Sequence, residues 1–157
     1  MKPLITVAII VIIIALYVAS VVRSIKIKFD ELANVAFSGF NLNSLNLNQT
    51  VITARVKLIV TLSSLFSIII SNLNIKAYKN NSLIAESTPN FSENTKKITL
   101  TPDINNEIYQ TFNFHVNPEL LDLILKLKSK QAYTINYIAS FKIFGIPVTK
   151  NGIFNKQ

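Results

Sequence analysis

The chain has 157 residues, of which 50% are hydrophobic and 15% are charged, with a formal net charge of +8 and no cysteine. The absence of cysteine excludes disulfides, thiol catalysis and cysteine-based metal sites. The basic residues are mostly lysine and are scattered along the sequence, which favours a solvated basic surface, so we expect no nucleic acid among the partners.

The first element is an uncharged, apolar run from Leu4 to Val22. As an α-helix, this run would be about 28 Å long, close to the ~30 Å hydrocarbon core of a bilayer. It has no polar face at a helical period, which argues against a core helix of a soluble domain. We therefore predict a single-pass anchor over residues 1–23, with residues 4–22 in contact with the lipid bilayer, followed by one domain over residues 24–157.

A cleaved signal peptide is the alternative for this segment. Lys2 would supply the basic start, and Val18-Ala19-Ser20 places small residues near the required positions. The apolar run is longer than the 7–15 residues usual in a signal peptide, which favours the anchor. The positive-inside rule favours a cytoplasmic domain by a margin of about one charge, so the sequence leaves the side of the membrane open.

After Arg23 the pattern changes to an alternation of apolar and polar residues, which is typical of half-buried strands. In "SIKIKFD" the inward residues are Ile25, Ile27 and Phe29. A long strand is predicted from Gln49 to Leu62, with the following residues on its inward face: Ile52, Ala54, Val56, Leu58, Val60 and Leu62. The preceding stretch "NLNSLNLNQ", residues 41–49, is interpreted as an edge strand or a loop.

The next segments also read as strands. "SNLNIKAYKNNSLIAES" predicts a hairpin that turns at Asn80-Asn81, because asparagine accepts positive φ. "KKITLTP" predicts a short strand that ends at Pro102. "EIYQTFNFHV" predicts a strand whose inward residues are Ile108, Phe112, Phe114 and Val116, with Gln110 as the polar exception. "AYTINYIASFKIFGIPV" predicts one last strand with these inward residues: Tyr133, Ile135, Tyr137, Ala139, Phe141 and Ile143.

One segment follows a helical period instead. In "NPELLDLILKLKSK" a helix is predicted from Pro118 to about Lys128. Asn117 suits the N-cap, Pro118 the first helical position, and Glu119 the positive end of the helix dipole. Six or seven strands with a single helix and no domain break predict a mainly β, antiparallel sandwich or barrel.

The sequence offers little that could carry catalysis. His115 is the only histidine and falls on the predicted outward face of its strand. The eight carboxylates follow no spacing typical of a catalytic pair or a calcium loop, and three glycines are too few for a phosphate-binding loop. The aromatic residues of the last strands fit core packing better than a base-stacking platform. We therefore predict no catalytic, cofactor-binding or metal-binding residue, and no cofactor.

The order of the later elements resembles a known family. "NLNIKAYKNNSLIAES", the leucine-rich "PELLDLILKL" and "YTINYIASFKIFGIPVTKNGIF" are similar to the late embryogenesis abundant (LEA) type 2 proteins, whose domain is also called the water stress and hypersensitive response domain. The resemblance covers roughly Lys28 to Phe154 and includes the hydrophobic-Gly-x-Pro step at Phe144-Gly145-Ile146-Pro147. The chain departs from the family at Leu62-Ser63-Ser64-Leu65, where an Asn-Pro step is usual.

The resemblance implies a seven-stranded sandwich similar to fibronectin type III and immunoglobulin domains, with one short helix and no enzymatic activity. It also implies a role in protection under water stress or desiccation, or in interaction at membranes. We therefore expect a non-enzymatic, membrane-anchored sandwich. The alternative is a structural or assembly component of a cell-envelope machine or a phage particle, with the sandwich as a docking surface for an unidentified protein partner.

Overall fold

The computed structural model describes residues 2–30, 51–89 and 91–157. Two α-helices, one 3-10 turn and eight β-strands occur in this part of the chain. Their bounds are α1 Lys2–Ser24, β1 Lys26–Asp30, β2 Val51–Thr61, β3 Ile68–Lys79, β4 Ser82–Ser87, the 3-10 turn Ser92–Thr95, β5 Ile98–Leu100, β6 Asn106–His115, α2 Pro118–Lys128, β7 Tyr133–Ile143 and β8 Ile146–Lys156. The predicted edge at residues 41–49 lies outside the described residues.

The strands form one antiparallel sheet that is nearly closed like a barrel. The hydrogen-bonded order is β1-β2-β6-β4-β3-β7-β8, and β5 pairs with β3 outside this path. The two end strands of the order, β1 and β8, approach each other. The predicted mainly β, antiparallel class with a preceding apolar helix and one short helix is therefore confirmed.

The described strands number eight rather than the predicted six or seven, because the last predicted strand is in fact a hairpin. The alternation of β7 ends at Ile143, and β8 returns antiparallel with Ile146 opposite Ile143. Phe144 and Gly145 form the connection with φ values of 51° and 76°. A turn with two positive φ values matches the right-handed twist of paired strands. The prediction is wrong here because phenylalanine is an uncommon turn residue, so the apolar pattern continues through the turn.

The predicted inward faces are confirmed along most of the strands, except that Val116 lies beyond the end of β6 and is only partly buried. The buried side chains of β2, from Val56 to Val60, alternate with partly exposed ones, and every second residue of β7 is buried. Ile25, Ile27 and Phe29 are each at most 5% exposed. These faces meet in one hydrophobic core, which takes up the aromatic residues that could otherwise form a base-stacking platform: Phe112, Phe114, Tyr133, Tyr137 and Phe141.

The predicted turn and helix cap are also present. Asn80 and Asn81 have φ values of 50° and 65° and connect β3 to β4. Asn117 is the N-cap of α2, because its Oδ1 accepts a hydrogen bond from the amide of Leu120 at 2.9 Å. The Nδ2 of Asn117 also donates to the carbonyl of Leu83 at 2.9 Å, so the cap ties α2 to β4.

Polar side chains fill the gap where the short strand β4 ends between β6 and β3. Gln110 of β6 is fully buried, and its Nε2 donates to the carbonyl of Leu73 in β3 at 2.9 Å. Its Oε1 has no hydrogen-bond partner. Asn94 of the 3-10 turn donates from Nδ2 to the carbonyls of Thr88 and Thr111. Side-chain amides thus replace backbone pairing that β4 is too short to provide.

A tyrosine links the two end strands of the sheet. Tyr137 of β7 lies opposite Gly152 of β8, and its hydroxyl accepts a hydrogen bond from the amide of Ile27 in β1 at 3.4 Å. A Cβ added to Gly152 would overlap the Tyr137 ring. The glycine therefore leaves the space through which the ring of Tyr137 crosses β8 to reach β1.

Candidate functional site

Helix α1 carries a large, exposed apolar surface. The residues from Ile5 to Leu16 are all exposed, and only 11% of the most apolar 18-residue stretch of the helix is buried against the rest of the protein. By length and composition α1 could cross a membrane, a property that signal sequences share. The described structure thus bears out an apolar N-terminal helix that projects from the β domain.

Helix α1 joins the β domain without a flexible linker. Ile25 alone separates α1 from β1; it is 1% exposed, and its amide donates to the carbonyl of Val21 at 3.2 Å. Val18 and Val21 are buried in the same hydrophobic core as the strands. The ammonium group of Lys150 in β8 donates to the carbonyl of Arg23 at 3.0 Å. The end of α1 is therefore held by packing and by a hydrogen bond.

The junction is basic. Burial lowers the pKa of Lys150 below its ordinary value, and the nearby charge of Lys26 lowers it further. Arg23 is exposed in the last turn of α1. Three cationic residues thus surround the point where α1 enters the domain.

An apolar groove runs between α1 and the start of β8. Its volume is about 670 Å³. The helix side extends from Val11 to Arg23, and the strand side consists of Ile146, Val148 and Thr149. The β7–β8 hairpin therefore lies alongside the C-terminal half of α1.

Several loops lie at the end of the domain where α1 enters. Lys26 pairs with Thr61, so β2 ends where α1 enters, and the antiparallel registers place the start of β3 and the ends of β5 and β7 there. Six exposed side chains lie at this end, and we refer to them as the apolar rim: Leu65, Phe66, Ile69, Ile104, Phe144 and Ile146. They are six of the eleven large hydrophobic residues that are exposed among the described residues beyond α1.

Some of the titratable groups away from this end pair with one another. His115 lies on the outward face, as predicted, and its Nε2 is 3.2 Å from Oε1 of Glu86. Asp122 of α2 pairs with Lys79 at 2.6 Å and with Lys126 at 3.1 Å. Hydrogen bonds from these two ammonium groups lower the pKa of Asp122, that from Lys79 most. The contacts of His115 and of Lys79 each fasten one element to another.

Within the described residues, no group of three or more histidine, aspartate or glutamate side chains could hold a metal ion. A second cavity of about 590 Å³ lies on β3, β7 and β8. Its lining is aromatic, aliphatic and amide, including Tyr78, Asn136 and Asn151, and contains no carboxylate, histidine or lysine. Neither this cavity nor the groove brings together an acid and a base.

The apolar rim is the part of the site that the sequence did not predict. The alternating pattern places Phe144 and Ile146 inside one continuous strand, and Leu65 stands out only because it departs from the family pattern. One feature of the sequence could have indicated the rim: large apolar residues stand next to the turn-forming residues Ser63-Ser64 and Gly145. Turn formers mark the end of a strand, so apolar residues beside them lie at the end of the sheet.

Comparisons with known proteins leave the family open. The sequence matches no family model, and no curated protein matches it either. Among solved structures, a protein from Archaeoglobus fulgidus shows 9% identity and a TM-score of 0.34, covering 85% of this chain and 96% of the other. The yeast GGA1 GAE domain shows 11% identity and a TM-score of 0.35, covering 72% and 96%, and the N-terminal domain of PorA shows 11% and 0.26, covering 68% and 78%. At these TM-scores the similarities carry no functional argument.

Proposed function

We propose that this protein is a single-pass, membrane-anchored, non-enzymatic β domain that protects or contacts other molecules at the membrane surface. The observation that carries this proposal is α1: an exposed apolar helix of 23 residues that enters the β core through the single residue Ile25. A bilayer would cover that apolar surface. Residues 1–23 then act as the anchor and residues 24–157 as the displayed domain.

We propose a two-layer sandwich for the displayed domain. Strand β4 pairs with both β3 and β6, but only three residue pairs join β4 to β6. Beyond Ser87 the link between β6 and β3 is made by the side chain of Gln110. These features support two layers, β1-β2-β6 and β3-β7-β8, with β4 bridging them at one end.

The LEA type 2 resemblance supports a protective or interaction role over a catalytic one. Five aromatic side chains of β6 and β7 belong to the core, His115 contacts Glu86, and Asp122 pairs with Lys79. Outside α1 and the apolar rim, the described residues include five exposed large hydrophobic side chains, and the chain has a net charge of +8. Such a surface suits weak contact with anionic lipids or client proteins.

The anchor is tested by alkaline extraction of membranes from cells that express the full chain. The wild-type protein and the Ile10→Leu/Ile13→Leu control should stay in the pellet with an intact N-terminus by mass. The Ile10→Arg/Ile13→Arg variant should be released, because each arginine at a helix centre costs about 2.5–3.5 kcal/mol of insertion. A membrane-free mature chain that begins near Ser20 would show that α1 is a cleaved signal peptide and would overturn the proposal.

The protective role is tested with dye-loaded vesicles that carry the full chain through drying and rehydration. Leakage should be lower than in vesicles that carry only a peptide of residues 1–24, which controls for the anchor. Equal leakage, together with no effect on the aggregation of a client enzyme, would contradict protection.

The alternative role, docking in an assembly, is supported by strand β8. It is an edge of the hydrogen-bonded order and has eleven residues, and long edge strands can pair with a partner strand. Crosslinking in native membranes distinguishes the roles: a partner of fixed stoichiometry favours docking, and a chain that stays monomeric favours protection.

A further inference from the structure

The β domain lies beside the C-terminal half of helix α1. Every residue from Ile5 to Leu16 is exposed, whereas Tyr17 and Val22 are partly buried and Val18 and Val21 are buried. The groove beside the β7–β8 hairpin extends along the helix as far as Val11. The end of the domain therefore lies alongside the C-terminal residues of the apolar helix and does not begin only after them.

The length of the helix then fixes how deep this end of the domain lies. The twelve exposed residues from Ile5 to Leu16 span only about 18 Å, which is short of the ~30 Å hydrocarbon core. The run from Leu4 to Val22 would nearly fill the core, but its last six residues include four that pack against the domain: Tyr17, Val18, Val21 and Val22. Immersing the six residues lowers the adjoining end of the domain by the same length, about 9 Å.

The surface that would enter the bilayer has suitable chemistry. Leu65 is 91% exposed and Phe144 is 68% exposed, although both are large and apolar. The loops that carry the apolar rim contain no lysine or arginine, and Asp103 is their one carboxylate. Pro147, next to the hairpin turn, has no backbone N–H to leave unpaired. Elements that lie in the interface bury such apolar side chains about 5–10 Å into the headgroup and acyl boundary.

Cationic groups lie next to the apolar rim, on the side that faces the body of the domain. Arg23, Lys26 and Lys150 surround the end of α1, and Lys150 is four residues further along β8 than Ile146. Lys142 lies nearer to the turn, and its long side chain can extend toward the headgroups. Apolar residues below and cationic residues above match the acyl and headgroup layers of an anionic membrane.

We propose that the apolar rim inserts into the lipid bilayer around α1, so that the domain sits end-on in the membrane surface instead of being displayed above it. This inference rests on the proposed anchoring by α1 and adds a second membrane contact. The bilayer is the occupant because the rim adjoins the apolar surface of α1 at the groove, which the rim residue Ile146 lines together with Val148.

The test uses the full chain in vesicles of phosphatidylcholine and phosphatidylglycerol. The absence of native cysteine allows single labels to be placed without background. An environment-sensitive fluorophore is attached to Leu65→Cys, Ile104→Cys or Phe144→Cys, and its quenching by lipids with a nitroxide on the acyl chain is measured. Leu125→Cys is the matched control, because Leu125 is 58% exposed on α2 at the opposite end of the domain. Ile12→Cys reports on α1 itself.

We expect several-fold stronger quenching at the three rim positions than at Leu125, with a blue-shifted emission. Quenching at Ile12 with none at the rim would overturn the inference and leave the anchor intact, whereas no quenching at Ile12 would overturn the anchor as well. A rim that becomes shielded only as the protein-to-lipid ratio rises, without lipid quenching, would show a contact between copies and would also overturn the inference. All labelled variants must retain the near-ultraviolet circular dichroism of the wild-type protein.

Discussion

The contact between Gly152 and Tyr137 makes a quantitative prediction about how the ends of the sheet are joined. A Cβ at residue 152 would overlap Cζ and Oη of Tyr137 and lie 2.7 Å from Cε1. Tyr137 is 4% exposed, and its ring packs edge-on against Phe29 with the centroids 5.9 Å apart. The ring therefore has little room to give way. The variant Gly152→Ala must displace either this ring or strand β8.

Two effects of opposite sign decide the size of the change. Overpacking a core typically costs about 1–3 kcal/mol. Replacing glycine by alanine, at a residue whose φ is not positive, restricts the unfolded chain and stabilises by about 0.4–1 kcal/mol. Taking the middle of each range, about 2 and 0.7 kcal/mol, we expect Gly152→Ala to lower the free energy of unfolding by about 1.3 kcal/mol, and by at most about 2.6 kcal/mol. For a domain of this size that corresponds to a fall in Tm of about 2–10 °C.

The assay is thermal unfolding of the full chain in detergent, followed by near-ultraviolet circular dichroism of the tyrosine and phenylalanine rings. The double variant Gly152→Ala/Tyr137→Leu should be more stable than the sum of the single changes predicts, with a coupling energy in the range of about 0.5–3 kcal/mol. Gly145→Ala is the matched control: Gly145 has a φ of 76°, and a Cβ at this residue would meet no atom from elsewhere in the chain within 4 Å. Its cost should be independent of Tyr137→Leu.

A stable Gly152→Ala variant, or strict additivity with Tyr137→Leu, would refute the reasoning. Additivity would mean that the ring does not pass over residue 152. The side chain of Tyr137 would then have to reach the amide of Ile27 in β1 by a path that does not cross residue 152.

Three further predictions concern the polar contacts of the domain. Gln110→Met should lower the free energy of unfolding by about 1–2 kcal/mol in urea titrations, because the Leu73 carbonyl loses its buried donor; a neutral change would show that the amide is dispensable. Asn117→Ala should cost about 1 kcal/mol through loss of the α2 cap, and Asn117→Asp should restore part of it, with equal stability of both variants contradicting the cap. The lowered pKa of Asp122 means that its ionised form stabilises the fold above pH 3.8 and that this contribution is lost as the pH falls below it; Asp122→Asn should therefore flatten the acid limb of the stability profile, and an unchanged limb would exclude the contact with Lys79.

The alternation of apolar and polar residues was sufficient to predict most of the strand faces. Where a side chain must be buried at every second position, as from Tyr133 to Ile143, the pattern determines which residues point inward because any slip would expose the whole set. The cap at Asn117 and the turn at Asn80-Asn81 were predictable for a similar reason, since their chemistry acts over a few residues.

The features that depend on distant contacts were not predictable. Neither the partner of Gln110 nor the space that Gly152 leaves for Tyr137 has a local signal, because each joins residues that are separated in the chain and meet only when the sheet forms. The turn at Phe144-Gly145 was missed since tertiary context overrode the usual turn composition. The apolar rim depends on the register of strands β2, β3, β5 and β7 together, which places its residues at one end only in the folded chain.

The one-residue connection at Ile25 also limits how far the protein can act. A domain on a long, flexible stalk can swivel and search the surrounding volume, but here any tilt of α1 is transmitted directly to the strands. Strands of eleven residues extend about 36 Å at most, so under the proposed anchoring by α1 a binding partner must itself come within that height of the bilayer. An anchored domain of this geometry suits recognition of neighbours in the same membrane, at a fixed angle, better than capture of molecules from the bulk solution.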